Sequence, residues 1–159
     1  MVAEKSEPGK GLSRSKGLII AVCSSEKKGT PKKNVGAGEL DVGFGLRGDA
    51  HGGDWHRQVS LLSMEQIQTM KNKGYDVQPG SFAENICTEG LDLNLIRVGA
   101  RLKAGENAIL EVSQIGKECH TRCAIFNRIG ECIMPTQGVF AVVIEGGPIK
   151  SGDSIELIL

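Results

Sequence analysis

Short apolar runs separated by glycine-rich turns dominate the chain and predict a β-rich fold. Residues 17–23 form a mostly β-branched run that stops at two serines, which is typical of a buried strand. Residues 138–145 form a second continuous run of this kind. Further strands are predicted at 58–62, 82–88, 98–104, 108–115 and 154–159. Residues 105–107, between two of these strands, predict a hairpin loop.

The clearest helix signal follows the strand at 58–62. Ser63, with Gln66 three residues later, forms a capping box, and Gly74 is typical of a helix end. The apolar side chains of the inner stripe, which we interpret as core packing, are Met64, Ile67 and Met70. Strands outnumber helices and the connections are short, so we expect a mainly β fold. A closed or nearly closed β-barrel with a few short helices is favoured over a parallel α/β sheet.

Length and composition favour one domain. A chain of 159 residues is large enough to bury its own core, and the predicted elements occupy 17–159. Residues 1–16 are polar and without period, which predicts a flexible lead-in. The next polar stretch, 26–34, mixes lysine, glycine and proline. It predicts an exposed loop whose lysines are either solvated or directed at an anionic ligand.

Charge and hydropathy exclude several classes of partner. Lys+Arg and Asp+Glu both total 19, so we expect neither nucleic acid nor a membrane surface as partner. No apolar run has the length of a membrane span and the N-terminus lacks an apolar signal core, which predicts a cytoplasmic protein. In that compartment the five cysteines are expected as thiols, ligands or catalytic groups. Cys23 and Cys87 lie in apolar strand patterns and should be buried.

The strongest candidate chemistry lies in the thiol segment, residues 117–123. It places Cys119 and Cys123 four positions apart among a lysine, a histidine and Arg122. Neighbouring cations lower the pKa of a cysteine and raise its reactivity, whereas an isolated cysteine usually packs as a small apolar side chain. A third interpretation is a zinc site made by Cys119, Cys123, Cys132 and His120. It is disfavoured because a second closely spaced ligand pair is missing.

The glycine loop, residues 43–57, is the second candidate. Its density of glycine predicts positive φ angles or close backbone approach, and its donors and cations suit an anion. The candidate ligand-binding residues are Arg47, Gly48, Asp49, His51, His56 and Arg57. A turn-rich connection without a site, or a metal held by the two histidines, are the alternatives.

Together these motifs resemble the MOSC domain, the family named after the C-terminal part of molybdenum cofactor sulfurases. The similar segments are 26–32, 45–53, 56–62, 79–85, the approach to the thiol segment, and 146–153. The resemblance implies a mostly β barrel that handles molybdenum cofactor or sulfur through one cysteine. In the amidoxime-reducing relatives that cysteine follows an arginine, so Arg122 and Cys123 are the matching pair.

The resemblance implies a stand-alone domain that binds molybdenum cofactor (molybdopterin) or its pterin precursor. Cys123 would act as persulfide carrier or molybdenum ligand, with Cys119 as the second candidate. Arg47, Gly48, Asp49, His51, His56, Arg57 and Arg122 would hold the cofactor.

Whether the chain is an enzyme stays open, with a sulfur carrier or transferase favoured. No pyridoxal phosphate is expected, so a separate sulfur donor such as a cysteine desulfurase and a molybdoenzyme acceptor are the implied partners. The alternative is a module that delivers cofactor without handling sulfur.

Overall fold

The computed structural model describes residues 15–116, 133 and 138–158. The strands in the first half are β1 (Lys16–Ser24), β2 (Lys33–Asn34), β3 (Ala37–Asp41), β4 (Gly45–Leu46) and β5 (Val59–Ser63). Helix α1 (Met64–Asn72) follows, and then β6 (Ile86–Glu89) and a 3₁₀ turn (Leu93–Leu95). The later strands are β7 (Arg101–Ala104), β8 (Ala108–Ile115), β9 (Val139–Glu145), β10 (Gly147–Lys150) and β11 (Ser154–Ile158).

A closed barrel is the centre of this arrangement. Within the described residues, seven strands pair in the order β11-β7-β8-β9-β5-β6-β1, and β1 pairs with β11 to close the ring. The pairing of β5 with β6 is parallel and the other pairings in the ring are antiparallel. Closure removes the exposed strand edges that an open sheet would leave. The predicted mainly β barrel is confirmed.

Side chains alternate in direction along the strands, and this places two apolar cores on opposite faces of the sheet. Val59 and Leu61 of β5 pack into a large cluster with apolar residues from the other barrel strands. Leu62 points the other way and packs with Ile67 and Met70 of α1. Successive side chains of a strand point to opposite faces, so the first cluster fills the barrel and the second joins α1 to its outer surface.

The helix begins and packs as its sequence predicts. Ser63 is the N-cap, and its hydroxyl oxygen accepts a hydrogen bond from the backbone N–H of Gln66 at 3.1 Å. Ile67 and Met70 are buried on its inner face. Among the described residues, no helix is long and apolar enough to cross a membrane.

Several local predictions need correction. The strand predicted at 82–88 begins only at Ile86, as β6, because residues 79–82 form a turn and Ala83 has a φ of +67°. The stretch 26–34 is not uniformly exposed, since Lys32 is buried. Residues 146–148, whose Gly-Gly-Pro sequence predicts a turn after the 138–145 strand, instead lead into β10, which pairs with β3 in a second, three-stranded sheet with β4. Of the predicted lead-in, residues 1–14 lie outside the described residues and β1 begins at Lys16.

Near the start of the glycine loop, the backbone of Gly45 approaches the backbone of Gln58 so closely that only glycine fits. Gly45 has a φ of +117°, and a Cβ there would lie 2.6 Å from the backbone oxygen of Gln58. Gly48 also has a positive φ, +85°, but a Cβ there would meet nothing within 4 Å. The loop therefore folds back onto the strand that follows it, and Gly45 makes this approach possible.

We expect Gly45→Ala to destabilise the protein more than Gly48→Ala. Both substitutions add strain at a positive φ, about 1 kcal/mol, but only the first adds a clash with backbone, about 1–3 kcal/mol more. The free energy of unfolding in urea measures the difference. Equal losses in the two variants would show that the close approach at Gly45 contributes nothing.

Candidate functional site

A cleft of about 290 Å³ opens on the outer face of the barrel, between the glycine loop and the turn that precedes β6. Its lining combines three cationic or donor side chains with aromatic rings. The lining residues are Lys28, His51, Trp55, Arg57, Ser60, Phe82, Ala83 and Phe140. We refer to this site as the cleft. Two of the residues predicted from the sequence to bind a ligand, His51 and Arg57, meet here.

Arg57 contacts two aromatic rings. Its Cζ lies 4.8 Å from the ring centroid of Trp55 and 5.6 Å from that of Phe140. Its Nε is buried and has no hydrogen-bond partner among the described residues. Stacking on aromatic faces stabilises a guanidinium, but it satisfies no N–H group. The site therefore offers a fixed cation with an unused donor.

Trp55 is fixed from two further directions. Its indole N–H donates to the backbone oxygen of His51 at 2.7 Å. Lys28 places its Nζ 5.4 Å from the Trp55 ring centroid, which brings a second cation to the cleft. Among the described residues, two cations and no carboxylate line the cleft, so its chemistry favours an anionic ligand.

A buried ion pair stands behind His51. Lys32 Nζ lies 2.8 Å from Asp49 Oδ1, and both side chains are fully buried. The same Nζ lies 3.0 Å from Ser25 Oγ and 2.9 Å from His51 Nδ1. Asp49 also accepts from the backbone N–H groups of Ser25 and His51, each at 3.1 Å. The pair thus joins the end of β1 to the glycine loop.

Burial and pairing act against each other in this pair. Burial lowers the pKa of Lys32, and the hydrogen bond from Lys32 to Asp49 opposes that change. Burial raises the pKa of Asp49, but the donors around it outweigh burial and leave that pKa below its usual value. Asp49 is therefore ionised at neutral pH, and its charge is balanced by Lys32.

The cleft floor is a network of buried polar groups. Ser60 donates its backbone N–H to the Asn85 side-chain oxygen at 3.0 Å, and the N–H of Asn85 donates to Ser60 Oγ at 3.1 Å. Asn85 Nδ2 also donates to the backbone oxygen of Cys23 at 3.1 Å. These reciprocal bonds connect β1, β5 and the start of β6, so the floor is rigid.

Glu84, beside Asn85, is fully buried. Its carboxylate accepts from the N–H groups of Gly80 at 2.6 Å and Phe82 at 3.2 Å. Burial raises its pKa to about 7, although the backbone donors and Lys32 lower it. The side chain bridges the turn that carries Ala83 at its positive φ, which is how this strained residue is held at the cleft wall.

Other predicted site residues lie outside the cleft lining. Arg47 forms a two-point pair with Asp41, with Nε at 2.9 Å and Nη2 at 2.7 Å, and its side chain is 67% exposed. His56 Nε2 lies 2.8 Å from Gln114 Oε1 on β8. Gly48 has a positive φ and is exposed. Within the described part of the chain, no three His, Cys, Asp or Glu side chains group as metal ligands.

The predicted thiols Cys119 and Cys123, with His120, Arg122 and Cys132, lie outside the described residues. The described ends of that connection are close together, since Gly116 N–H donates to Gly138 O at 2.7 Å. Gly138 stands two residues before Phe140 of the cleft, and Ile133 packs in the same cluster as Phe82 and Phe140. The chain that carries the thiols therefore starts and ends on the β8 and β9 side of the cleft.

Cys23 and Cys87 are buried, as their strand patterns predict. Burial raises the pKa of Cys23 to about 12 and also raises the pKa of Cys87. Neither thiol forms a useful population of thiolate at neutral pH, so neither is a nucleophile.

Sequence reasoning missed several residues that build the site. The polar stretch 26–34 predicts an exposed Lys32, and nothing in its sequence neighbourhood marks this lysine as buried. For Ser60, Asn85 and Phe140 the sequence predicts only that they lie in strands. The alternating side-chain directions of β5 do indicate where Ser60 lies. A serine between two buried apolar positions faces the opposite side of the sheet.

Comparisons with known proteins agree with this fold. A family model described as the MOSC domain matches residues 47–156. The structure is similar to the crystal structure of the YuaD protein from Bacillus subtilis, with a TM-score of 0.72 and 19% identity, covering 89% of this chain and 95% of that chain.

Two further crystal structures are similar. YiiM from Geobacillus stearothermophilus has a TM-score of 0.67 and 18% identity, covering 90% of this chain and 75% of its own. YiiM from Escherichia coli has a TM-score of 0.65 and 22% identity, covering 90% of this chain and 70% of its own. At these identities the likeness establishes the fold alone. No curated protein sequence matches the chain.

We expect the stability of the protein, relative to Glu84→Gln, to fall as pH rises from about 4.5 to about 7. The folded pKa of Glu84 is raised to about 7 from 4.5, so the folded state binds this proton more tightly than the unfolded state. That contribution is complete below the unfolded value and is lost as pH passes through the folded value. Urea unfolding of the wild type and of Glu84→Gln between pH 4.5 and pH 7 measures this contribution to the free energy of unfolding. If the stability of the two proteins changed in parallel over this pH range, the raised pKa of Glu84 would be contradicted.

Proposed function

The chain belongs to the MOSC domain family, and from this premise we propose that it binds the molybdenum cofactor, or its pterin precursor, in the cleft and carries sulfur on Cys123. Cys119 is the second candidate for the thiol, and ligation of molybdenum by Cys123 is the other role considered. The acceptor in this proposal is a molybdoenzyme. The sulfur donor is a separate protein such as a cysteine desulfurase, and the reaction takes place in the cytoplasm.

The buried Nε of Arg57, without a partner among the described residues, is the observation that supports binding. An unpaired buried donor costs about 1–3 kcal/mol, and an anionic ligand would remove that cost. A guanidinium presents planar, forked donors that suit a phosphate group. The cofactor carries a phosphate, so the residues present fit this group.

Each cleft residue has a distinct part in the proposal. Arg57 and Lys28 supply the positive charge, and His51 supplies a ring nitrogen. Trp55 and Phe140 keep the guanidinium in place by stacking on it. Asp49 acts indirectly, through Lys32 and the backbone of the glycine loop. Gly48 and His56 remain proposed contributors from outside the lining, and Arg122 remains one from outside the described residues. Arg47 is already paired with Asp41 and is proposed to contribute little.

The cofactor, when bound, supplies the molybdenum centre and its dithiolene sulfurs. The protein's own step is sulfur-atom transfer: the Cys123 thiolate attacks the outer sulfur of a donor persulfide. An S–S bond forms at Cys123, the donor's S–S bond breaks, and the donor leaves as a thiolate. No oxidant is consumed, because one thiolate replaces another.

A delivery module that binds cofactor without handling sulfur is the second candidate. The observation that favours it is that the described cleft residues already supply cations and the unpaired Arg57 Nε, and binding alone needs no nucleophile. The two functions differ only in what the thiol segment does, and substitution there separates them.

We expect Arg57→Gln to weaken cofactor binding and Arg47→Gln to change it little. Arg57 lines the cleft with an unused donor, whereas Arg47 is exposed and already paired with Asp41. Loss of one charge-assisted contact costs about 1.5–3 kcal/mol, roughly a 10- to 150-fold rise in Kd. Pterin retained by each purified protein, measured by fluorescence after oxidation, gives the comparison. An equal loss in both variants would return Arg47 to the binding site, and no loss in either would remove the cleft from the proposal.

Cys123→Ser should abolish sulfur transfer while binding of cofactor persists, because serine keeps the size of cysteine but forms no persulfide. Cys119→Ser should only slow transfer. Transfer of ³⁵S from a desulfurase to an acceptor measures both variants, and Cys132→Ser serves as the control. The reverse ranking would move the site to Cys119. Full transfer in both variants would leave the delivery module as the function.

A further inference from the structure

We propose that Lys32 is a positioning residue whose ammonium group holds the His51 imidazole with its proton on Nε2. His51 then presents an N–H donor to an oxyanion in the cleft. The inference rests on the proposed function for the identity of the ligand. It rests on the contacts of Lys32 alone for the state of the ring.

The hydroxyl of Ser25 fixes the direction of the first hydrogen bond. Ser25 Oγ donates its proton to the backbone oxygen of Lys27 at 2.9 Å. Toward Lys32 Nζ, 3.0 Å away, the same oxygen is therefore an acceptor. Lys32 donates one N–H to this oxygen.

The carboxylate of Asp49 fixes the second bond and the charge of the lysine. Asp49 Oδ1 is 2.8 Å from Lys32 Nζ, and Asp49 is ionised because its donors keep its pKa below the usual value. An ionised carboxylate can only accept, so Lys32 donates a second N–H. A buried carboxylate also requires a balancing charge, which favours the ammonium form of Lys32.

The third N–H of the ammonium is directed at His51. Nδ1 of the ring lies 2.9 Å from Lys32 Nζ, and an ammonium has three donors and no lone pair. Nδ1 must then be the acceptor, and a neutral imidazole that accepts at Nδ1 carries its proton on Nε2. The three acceptors around Lys32 match its three N–H groups.

The backbone of His51 is held in the same way. Its N–H donates to Asp49 Oδ2 at 3.1 Å, and its carbonyl oxygen accepts from Trp55 Nε1 at 2.7 Å. Ring and backbone are thus fixed by the ion pair on one side and by the aromatic wall of the cleft on the other. His51 lines the same cleft as the Arg57 and Lys28 cations.

The tautomer is measured directly by long-range ¹H–¹⁵N correlation spectra of the ¹⁵N-labelled full-length protein. The chain has three histidines, so His56→Gln and His120→Gln variants assign the signals. We expect His51 to show the pattern of a neutral ring protonated on Nε2. A ring protonated on Nδ1 in the wild type would overturn the proposal without any variant.

Substitution of Lys32 tests what sets the tautomer. In Lys32→Met/Asp49→Asn, which removes the ammonium without leaving an unbalanced buried carboxylate, we expect signals of the Nδ1–H form to appear. Lys32→Arg keeps a cationic donor and should retain the Nε2–H pattern. Lys33→Met, at an exposed neighbouring position, is the matched control and should match the wild type. An unchanged pattern in the double variant would overturn the role of Lys32.

Titration with inorganic phosphate separates this inference from the proposed function. We expect phosphate to shift the His51 Nε2–H signal in the wild type and not in Arg57→Gln, while both proteins keep the same tautomer. Phosphate binding that leaves the Nε2–H signal unmoved would overturn the donor role of His51. If the wild type binds no phosphate but the Lys32 variants change the tautomer as expected, the proposed function fails and Lys32 remains the positioning residue.

Discussion

The buried ion pair between Lys32 and Asp49 is the interaction on which the candidate site depends. It lies where the end of β1, the lysine-containing loop after it and the glycine loop meet, and it has contacts with all three. A buried charge left without its partner costs about 3–5 kcal/mol, so these segments are held in one relative position. His51 takes its orientation from this pair, and Trp55 is in turn hydrogen-bonded to the backbone of His51.

The barrel supplies the rigid frame for this loop cluster. Closure of β1 on β11 fixes the strand that carries the Ser25 end of the network, and the parallel pairing of β5 with β6 places Ser60 against Asn85. The antiparallel neighbour of β5 is β9, which brings Phe140 opposite Ser60 and so close to the guanidinium of Arg57. The wall and floor of the cleft therefore follow from strand order, although their residues are far apart in the chain.

The sequence predicts what depends on local pattern and misses what depends on long-range contact. Strands such as β5 and β8, the Ser63 cap and the burial of Cys23 follow from apolar periodicity and capping chemistry, and the structure agrees. The glycine loop was identified by composition. Composition does not show which residue of the loop has which role. Only the fold shows that Asp49 faces Lys32 while Arg57 faces two aromatic rings. The burial of Lys32 has no local signal, since it arises from a carboxylate 17 positions away.

The central claim is that the cleft and the thiol segment act together on one cofactor, and mass spectrometry tests it most directly. Full-length protein is purified without reductant from a host supplied with molybdate, and is measured both intact and after digestion. The account predicts a bound pterin in the native protein and a mass increase of about 32 Da, one sulfur atom, on the peptide that contains Cys123. Native protein that carries neither pterin nor added sulfur, from a host whose molybdoenzymes are active, would contradict it.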